Sequence, residues 1–338
     1  MRIGEFARRI RSIGMIAAWM LVLAVARPAL AQVDEGFSAQ NFQAPIDPYG
    51  YITLNGARTL RAGHPFFGAY IDWADEPLDL RDIREGYIDH MTFVHAVASI
   101  GLVNIGDHGG LSLGVVVPYA LHMKGFGRDP GTGDPAIVTP PAVDLPEDGR
   151  LADIRAETKL TVLDRAEDAV GIAFRLWGTA PTGEDKFFLS NDEKFGAGGG
   201  MILEKETDLL GGFRIGGEVD YEWVEGDVVI SEIQFVDQGG LFTSPGIERK
   251  RLTIDDKLHF RLGMAKEIFI DDLWLVVEAH HWTRATHVYN TTREAPAEIG
   301  GAIRFDRNVL AMLGASAGVT DGVGAPTVRV FAALGYAF

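Results

Sequence analysis

From about Pro65 to its last residue the chain alternates apolar and polar positions with the two-residue period of a strand that has one face on an apolar medium. The C-terminus shows this most clearly. Val328, Val330, Ala332, Leu334 and Tyr336 lead to Phe338, with Arg329, Gly335 and Ala337 on the intervening face. Elsewhere Leu111, Leu113, Val115, Val117, Tyr119 and Leu121 oppose Ser112, Gly114, Val116, Pro118, Ala120 and His122. Val219, Tyr221 and Trp223 oppose Glu218, Asp220 and Glu222. Leu252, Ile254, Leu258, Phe260 and Leu262 oppose Arg251, Lys257, His259 and Arg261, and Leu273, Leu275 and Val277 oppose Trp274, Val276, Glu278 and His280.

Twelve strand-like runs follow from this pattern: Pro65 to Trp73, Tyr87 to Ile100, Gly110 to Met123, Leu151 to Leu163, Ala169 to Ala180, Phe195 to Glu204, Leu209 to Trp223, Lys250 to Met264, Ile268 to Arg284, Ala297 to Phe305, Val309 to Val319 and Pro326 to Phe338. Their connections alternate between short ones (around Val103 to His108, Arg165 to Asp168, Thr207-Asp208, Lys266-Glu267 and Asp306 to Asn308) and long ones (around Asp75 to Gly86, Lys124 to Arg150, Gly183 to Lys194, Glu225 to Arg249 and Ala285 to Pro296). Only the loop after Val319 breaks the alternation, being short where a long one belongs. An even strand number with turns at one end and loops at the other predicts an all-β protein. The expected architecture is a single antiparallel, up-and-down transmembrane β-barrel of about 12 strands, with 10 or 14 as alternatives. The terminal strand is expected to close the barrel against the run at Pro65 to Trp73, and Val330, Leu334, Tyr336 and Phe338 to form its assembly signal.

Apolar-out and ionisable-in places Arg155, Glu157, Lys159, Arg175, Glu218, Asp220, Glu222, Arg251, Lys257, His259, Arg261, Glu278, His280, Arg304 and Arg329 toward the lumen as candidate pore-lining residues. Both signs of charge are present, so a narrow charged pore and a salt-bridged filling are both open, with a narrow or partly occluded pore favoured. His259 is expected to face Glu278 across neighbouring strands. Tyr70, Trp73, Tyr119, Trp177, Tyr221, Trp223, Trp282 and Tyr336, near run ends, read as interfacial girdles.

The N-terminus changes the picture of compartment. Arg2, Arg8, Arg9 and Arg11 precede an apolar run from Ile13 to Ala26 that is too short to span a bilayer, and Ala29-Leu30-Ala31 is a small-x-small cleavage site before Gln32. Residues 1–31 are therefore expected to be a removable signal peptide and 32–62 a lead-in segment limited by Pro45 and Pro48. Tyr51 to Arg58 could add a short strand outside the barrel count, and 63–338 form the barrel. The cell outer membrane is the expected location, with outer-membrane lipid, lipopolysaccharide and the barrel-assembly machinery as partners. A net charge of -16 argues against nucleic acid, and the absence of Cys excludes disulfides and thiolate metal sites.

Little in the sequence suggests chemistry. His280, His281 and His287 do not make a metal site, because adjacent strand residues face opposite sides. Ser231, Ser244 and Ser316 have no evident partner in an outward His281, so no enzyme is expected, an outer-membrane lipid hydrolase being the minor alternative. Gly196 to Gly200 lacks the Lys-Ser/Thr and helix of a phosphate loop and reads as a strand where bulk is excluded. The acidic loop residues Asp75, Glu76, Asp79, Asp82, Glu85, Glu184, Asp185, Asp192, Glu193, Glu225, Asp227, Glu232 and Asp237 suit either divalent-cation bridging or a solvated surface. No cofactor is expected.

Phe93 to His122, with Ala98-Ser99-Ile100-Gly101-Leu102 and Leu111-Ser112-Leu113-Gly114-Val115-Val116-Val117-Pro118, resembles a hairpin of the OmpA-like transmembrane β-barrel domains and of the similar transporter-like barrels of the MetA pathway of phenol degradation. Leu151 to Leu160, Ala180-Pro181-Thr182-Gly183 and Gly324 to Phe331 extend the likeness over most of the mature chain. The resemblance implies an outer-membrane barrel and brings no catalytic signature. Many such barrels continue into a peptidoglycan-binding domain, and this sequence stops at Phe338, so a wall-anchoring role is not expected. The functional expectation is a passive, porin-like or transporter-like channel for small solutes. A structural or surface-display barrel with a closed lumen is the alternative.

Overall fold

In a computed structural model, residues 38–338 are described apart from 80–86, 107–108, 128–142, 145–148, 166–167, 185–186, 191–193, 208–211, 225–227, 237–245, 269, 287, 289–294 and 321. The expected signal peptide and its cleavage site at Ala29, Ala31 and Gln32 lie outside these residues, as does His287. The strands are β1 (Pro65–Asp79), β2 (Tyr87–Ile105), β3 (Gly109–Gly127), β4 (Ile154–Leu163), β5 (Gly171–Ala180), β6 (Gly196–Thr207), β7 (Phe213–Val224), β8 (Lys257–Glu267), β9 (Leu273–Arg284), β10 (Ala297–Asp306), β11 (Val309–Gly318) and β12 (Val328–Ala337). Each pairs antiparallel with its sequence neighbours, and β12 returns to β1 with Phe66 opposite Ala337 and Asp75 opposite Val328. That pairing closes the sheet, so every barrel strand has two partners and no edge is left to satisfy in hydrocarbon.

The alternation decides which way each strand faces, and here it is inside out. Leu176, Leu262, Leu313 and Leu334 are exposed on the outside, whereas Arg175, Arg304, Arg329 and Lys159 are among the most buried side chains. In a water-soluble fold that distribution would cost burial of the charges and hydration of the leucines together. Around the outside, Trp73, Tyr119, Tyr221, Trp223 and Tyr336 are exposed, as an interfacial girdle requires. Tyr70, Trp177 and Trp282 instead point inward and are buried. They lie on the lumen parity of their strands, and closeness to a run end does not override parity.

The run expected from Lys250 to Met264 divides in two. Residues Gly246–Ile254 pair with Val228–Val236 in a separate two-stranded sheet, a hairpin within the long loop, and β8 starts at Lys257. The break falls at Asp255-Asp256. Asp256 Oδ1 accepts the Val224 N–H at 3.0 Å, its carbonyl accepts the Ala285 N–H at 2.7 Å, and Asp255 pairs with Arg284 at 2.7 Å. This carboxylate pair anchors the loop to the flanking strands and ends the ladder. Arg251 belongs to that hairpin, opposite Ser231, and not to the barrel sheet.

Candidate functional site in the barrel lumen

The lead-in segment forms no strand. Residues 38–62 run as irregular chain through the lumen from one end of the barrel to the other. At the long-loop end the Ala39 N–H donates to the Phe188 carbonyl (3.1 Å), Asn41 Nδ2 to the Val323 carbonyl (2.8 Å) and Trp282 Nε1 to Asn41 Oδ1 (3.1 Å). At the short-turn end the Ala62 N–H donates to Asn104 Oδ1 (2.9 Å) and the Gly63 N–H to the Gly101 carbonyl (2.7 Å). Between those ends Phe42, Ala44, Ile46, Tyr51, Ile52, Leu54 and Leu60 are buried against Phe66, Tyr70, Val97, Val116, Trp274, Val276, Leu310, Met312 and Phe331. Every second residue of this plug is not apolar, so no strand period announced it. Its apolar side chains are scattered among Pro45, Pro48, Gly50 and Gly56.

Irregular backbone in a closed lumen must find hydrogen-bond partners outside itself. The inward ionisable residues supply them. Glu278, 3 % exposed, accepts the N–H groups of Ile52 (2.7 Å), Thr53 (2.9 Å) and Leu54 (3.1 Å), and the Thr53 hydroxyl as well. Glu204 accepts the Ala57 N–H (2.9 Å) and the Tyr51 hydroxyl (3.1 Å), and Glu218 accepts the Asn55 N–H (3.0 Å). Arginine and lysine take the plug's carbonyls. Arg304 donates to those of Tyr51 (2.6 Å) and Pro48, Lys159 to Gly56 (2.9 Å), and Arg155 to Ala44. Lys159 also pairs with Asp47.

A second set of charges pairs within the wall. Arg175 bridges Glu157 (3.1 Å), Glu218 and Asp220 (2.6 Å). Arg261 reaches Glu218 (3.2 Å), Asp220 and the plug's Gln43 (2.7 Å). His259 Nε2 lies 2.7 Å from Glu222 on β7, and so does not meet Glu278 as expected, and Lys257 stands 3.6 Å from the same carboxylate. His280 is 3.5 Å from Glu298. Apart from Arg251, every candidate lumen residue is thus inside the barrel, either on the plug or in a wall ion pair. Sequence reasoning missed Asp72, His95, Glu204, Arg214 and Glu298, which complete the network: Arg329 joins Asp72 to Glu298 (3.1 Å), and Asp72 meets His95 at 2.8 Å. Strand parity could have found them, since Asp72 lies between outward Ile71 and Trp73, and Glu298 beside outward Ile299.

Steric room for the plug comes from glycine. Gly216 and Gly263 face each other across β7 and β8, and a Cβ on either would stand 2.7–2.8 Å from the Tyr51 ring. Gly198 and Gly200, in the run mistakable for a phosphate loop, likewise leave space for the Trp177 ring and the Asp220 carboxylate. Over the long-loop end, Phe187, Phe188 and Leu189 fold in against Ala39, Met91, Phe93, Met123 and Trp282. Phe188 holds a φ of 60°, in the left-handed region that bulky residues avoid, as it presents its carbonyl to Ala39.

A closed barrel, apolar outside and ion-paired inside, is the architecture of an outer-membrane β-barrel, here with a chain segment filling its lumen. Among solved structures the chain is similar to the COG4313 outer membrane channel from Pseudomonas putida F1, with 11% identity, a TM-score of 0.53, and coverage of 91% of this chain and 100% of that one. Lower fold similarity, at a TM-score of 0.44, links it to the toluene transporter TodX of Pseudomonas putida (11% identity, 90% and 99% covered) and to the beta domain of the Bordetella autotransporter BrkA (13% identity, 82% and 100% covered). No family model matches the sequence, and no curated protein matches it.

Proposed function

We propose that the protein is an outer-membrane channel for small solutes whose lumen is closed by its own residues 38–62 and conducts when that segment shifts. The observation that carries this reading is how the plug is held. Much of its backbone is bonded to side chains of the wall and not to a ladder. Such bonds exchange with water at a modest net cost of about 0.5–1.5 kcal/mol each, whereas an added strand would be released only with its ladder. The wall carries both kinds of surface: carboxylates and guanidinium groups line β4 to β8, while on β1 to β3 and β12 Phe66, Val97, Val116 and Phe331 sit among Asp72, His95 and Arg329. A lumen of that kind suits solutes with both polar and apolar parts. The fold shared with an outer membrane channel supports the same reading. In this orientation the short turns face the periplasm and the long loops the outside.

The tightly filled lumen equally supports a closed barrel that displays its loops, and planar-bilayer recording separates the two. Brief unitary currents from the intact protein, with larger and longer ones after deletion of 38–60, are expected. A folded barrel silent in both forms overturns the channel. The outward Val330, Leu334, Tyr336 and Phe338 are further proposed as the signal read by the assembly machinery; the Phe338 ring packs edge-on against Tyr336 at 4.7 Å.

A further inference from the structure

β2 and β3 are the longest strands, pairing from Ile105 and Gly109 out to Tyr87 and Phe126, with β1 alongside β2 as far as Asp79 opposite Tyr87. Their ladder is interrupted near the long-loop end by register shifts between Ile88 and His90 and between Thr92 and Phe93. His90 is opposite Lys124 and Thr92 opposite His122, so the two histidines are diagonal neighbours within side-chain reach. Met91 and Met123, each 1 % exposed, point into the barrel, which puts His90 and His122 on the outer face. The row holding Thr92 and His122 also contains outward Trp73, placing the pair at the level of the aromatic girdle, where water and ions reach it.

Here the two imidazoles converge. Nε2 of His90 and Nε2 of His122 are 3.3 Å apart, while the ring centroids are 5.3 Å apart with planes tilted by 33°. The rings therefore meet nearly end-on through their Nε2 atoms. A tetrahedral zinc ion with Zn–N bonds of ~2.0–2.1 Å separates its nitrogen ligands by about 3.3 Å and their ring centres by about 5.2 Å. A direct N–H···N hydrogen bond between the rings also fits this separation, and zinc titration distinguishes the two. Behind His90, the Asp89 carboxylate stands 3.5 Å from Nδ1, the ring nitrogen that carries the proton when Nε2 ligates. Lys124 reaches Asp89 at 3.2 Å and is the one cation among these groups.

We propose that His90 and His122 form a two-histidine site for a divalent cation of the zinc class, clamping β2 to β3 across the two ladder irregularities. Among the described residues no cluster of three or more metal-ligating side chains occurs, so water completes the coordination and the site is an open one. The test is calorimetric titration of zinc chloride into tag-free, chelator-treated protein refolded in detergent. It compares the wild type with His90→Gln, His122→Gln, the double variant and His281→Gln, each checked for barrel fold by circular dichroism. Wild type and His281→Gln are expected to bind one zinc ion that the double variant does not, with each single replacement weakening it tenfold or more. A wild-type isotherm matching that of the double variant, or a loss below tenfold in either single variant, overturns the site.

Discussion

Glu278 is the side chain on which the seating of the plug depends most. Its carboxylate accepts three consecutive backbone N–H groups, those of Ile52, Thr53 and Leu54, and its replacement by alanine leaves all three donors inside the barrel without an acceptor. Each orphaned buried donor costs about 1–3 kcal/mol. Water entering the vacated space offsets part of this, and taking the low end for all three gives about 3 kcal/mol, on the order of a hundredfold in the ratio of seated to released plug. Glutamine keeps one carbonyl oxygen and should lose about tenfold, on the same scale. The chain has no cysteine, so a single Ala44→Cys places one reporter thiol in the buried plug with little change of volume. Its reaction with a charged maleimide reports the released population while reseating is fast. Labelling of Ala44→Cys should therefore be slow, about tenfold faster with Glu278→Gln and about a hundredfold faster with Glu278→Ala. Equal rates in all three, with the barrel intact by circular dichroism, would refute the claim that Glu278 anchors the segment.

Two further outcomes follow from the same contacts. Gly216→Val drives a side chain into the Tyr51 ring, so it should raise Ala44→Cys labelling at least tenfold, whereas Gly217→Val, one residue away on the opposite face, should leave it unchanged. Deleting Phe338 should lower the amount of barrel assembled in the membrane far more than an alanine in place of Asp256 does, measured by heat-modifiable migration of membrane fractions; equal yields would remove the assembly role.

Much of the barrel was legible in the chain because alternation is a local property. A period of two tells each residue which face it occupies, and the lengths of the connections tell which ends share a side. Hence the runs ending in Trp73, beginning at Tyr87 and terminating at Phe338 correspond to strands, and closure of the last on the first follows from the need to hide both edges. Parity also put Arg175, Glu218, Glu278 and Arg304 inside. It failed where alternation continues off the barrel. The loop hairpin at Gly246–Ile254 carries the same local pattern as β8, so Arg251 was indistinguishable from Arg261 until pairing assigned it to another sheet.

What the sequence by itself determined is the barrel pattern: about twelve strands and which residues share a face, both of which are periodic and local, while the burial of the ionisable face is seen in the structure. What only the tertiary structure decided is how the lumen is used. Residues 38–62 have no period, and their apolar side chains read as an irregular lead-in; their place inside follows from bonds to groups far away in sequence, Glu278 to Thr53 and Arg304 to Tyr51. The pairing of His90 with His122 is of the same kind. A bulge, which shifts the register by one residue, brought together two side chains that strict alternation would have put on opposite faces.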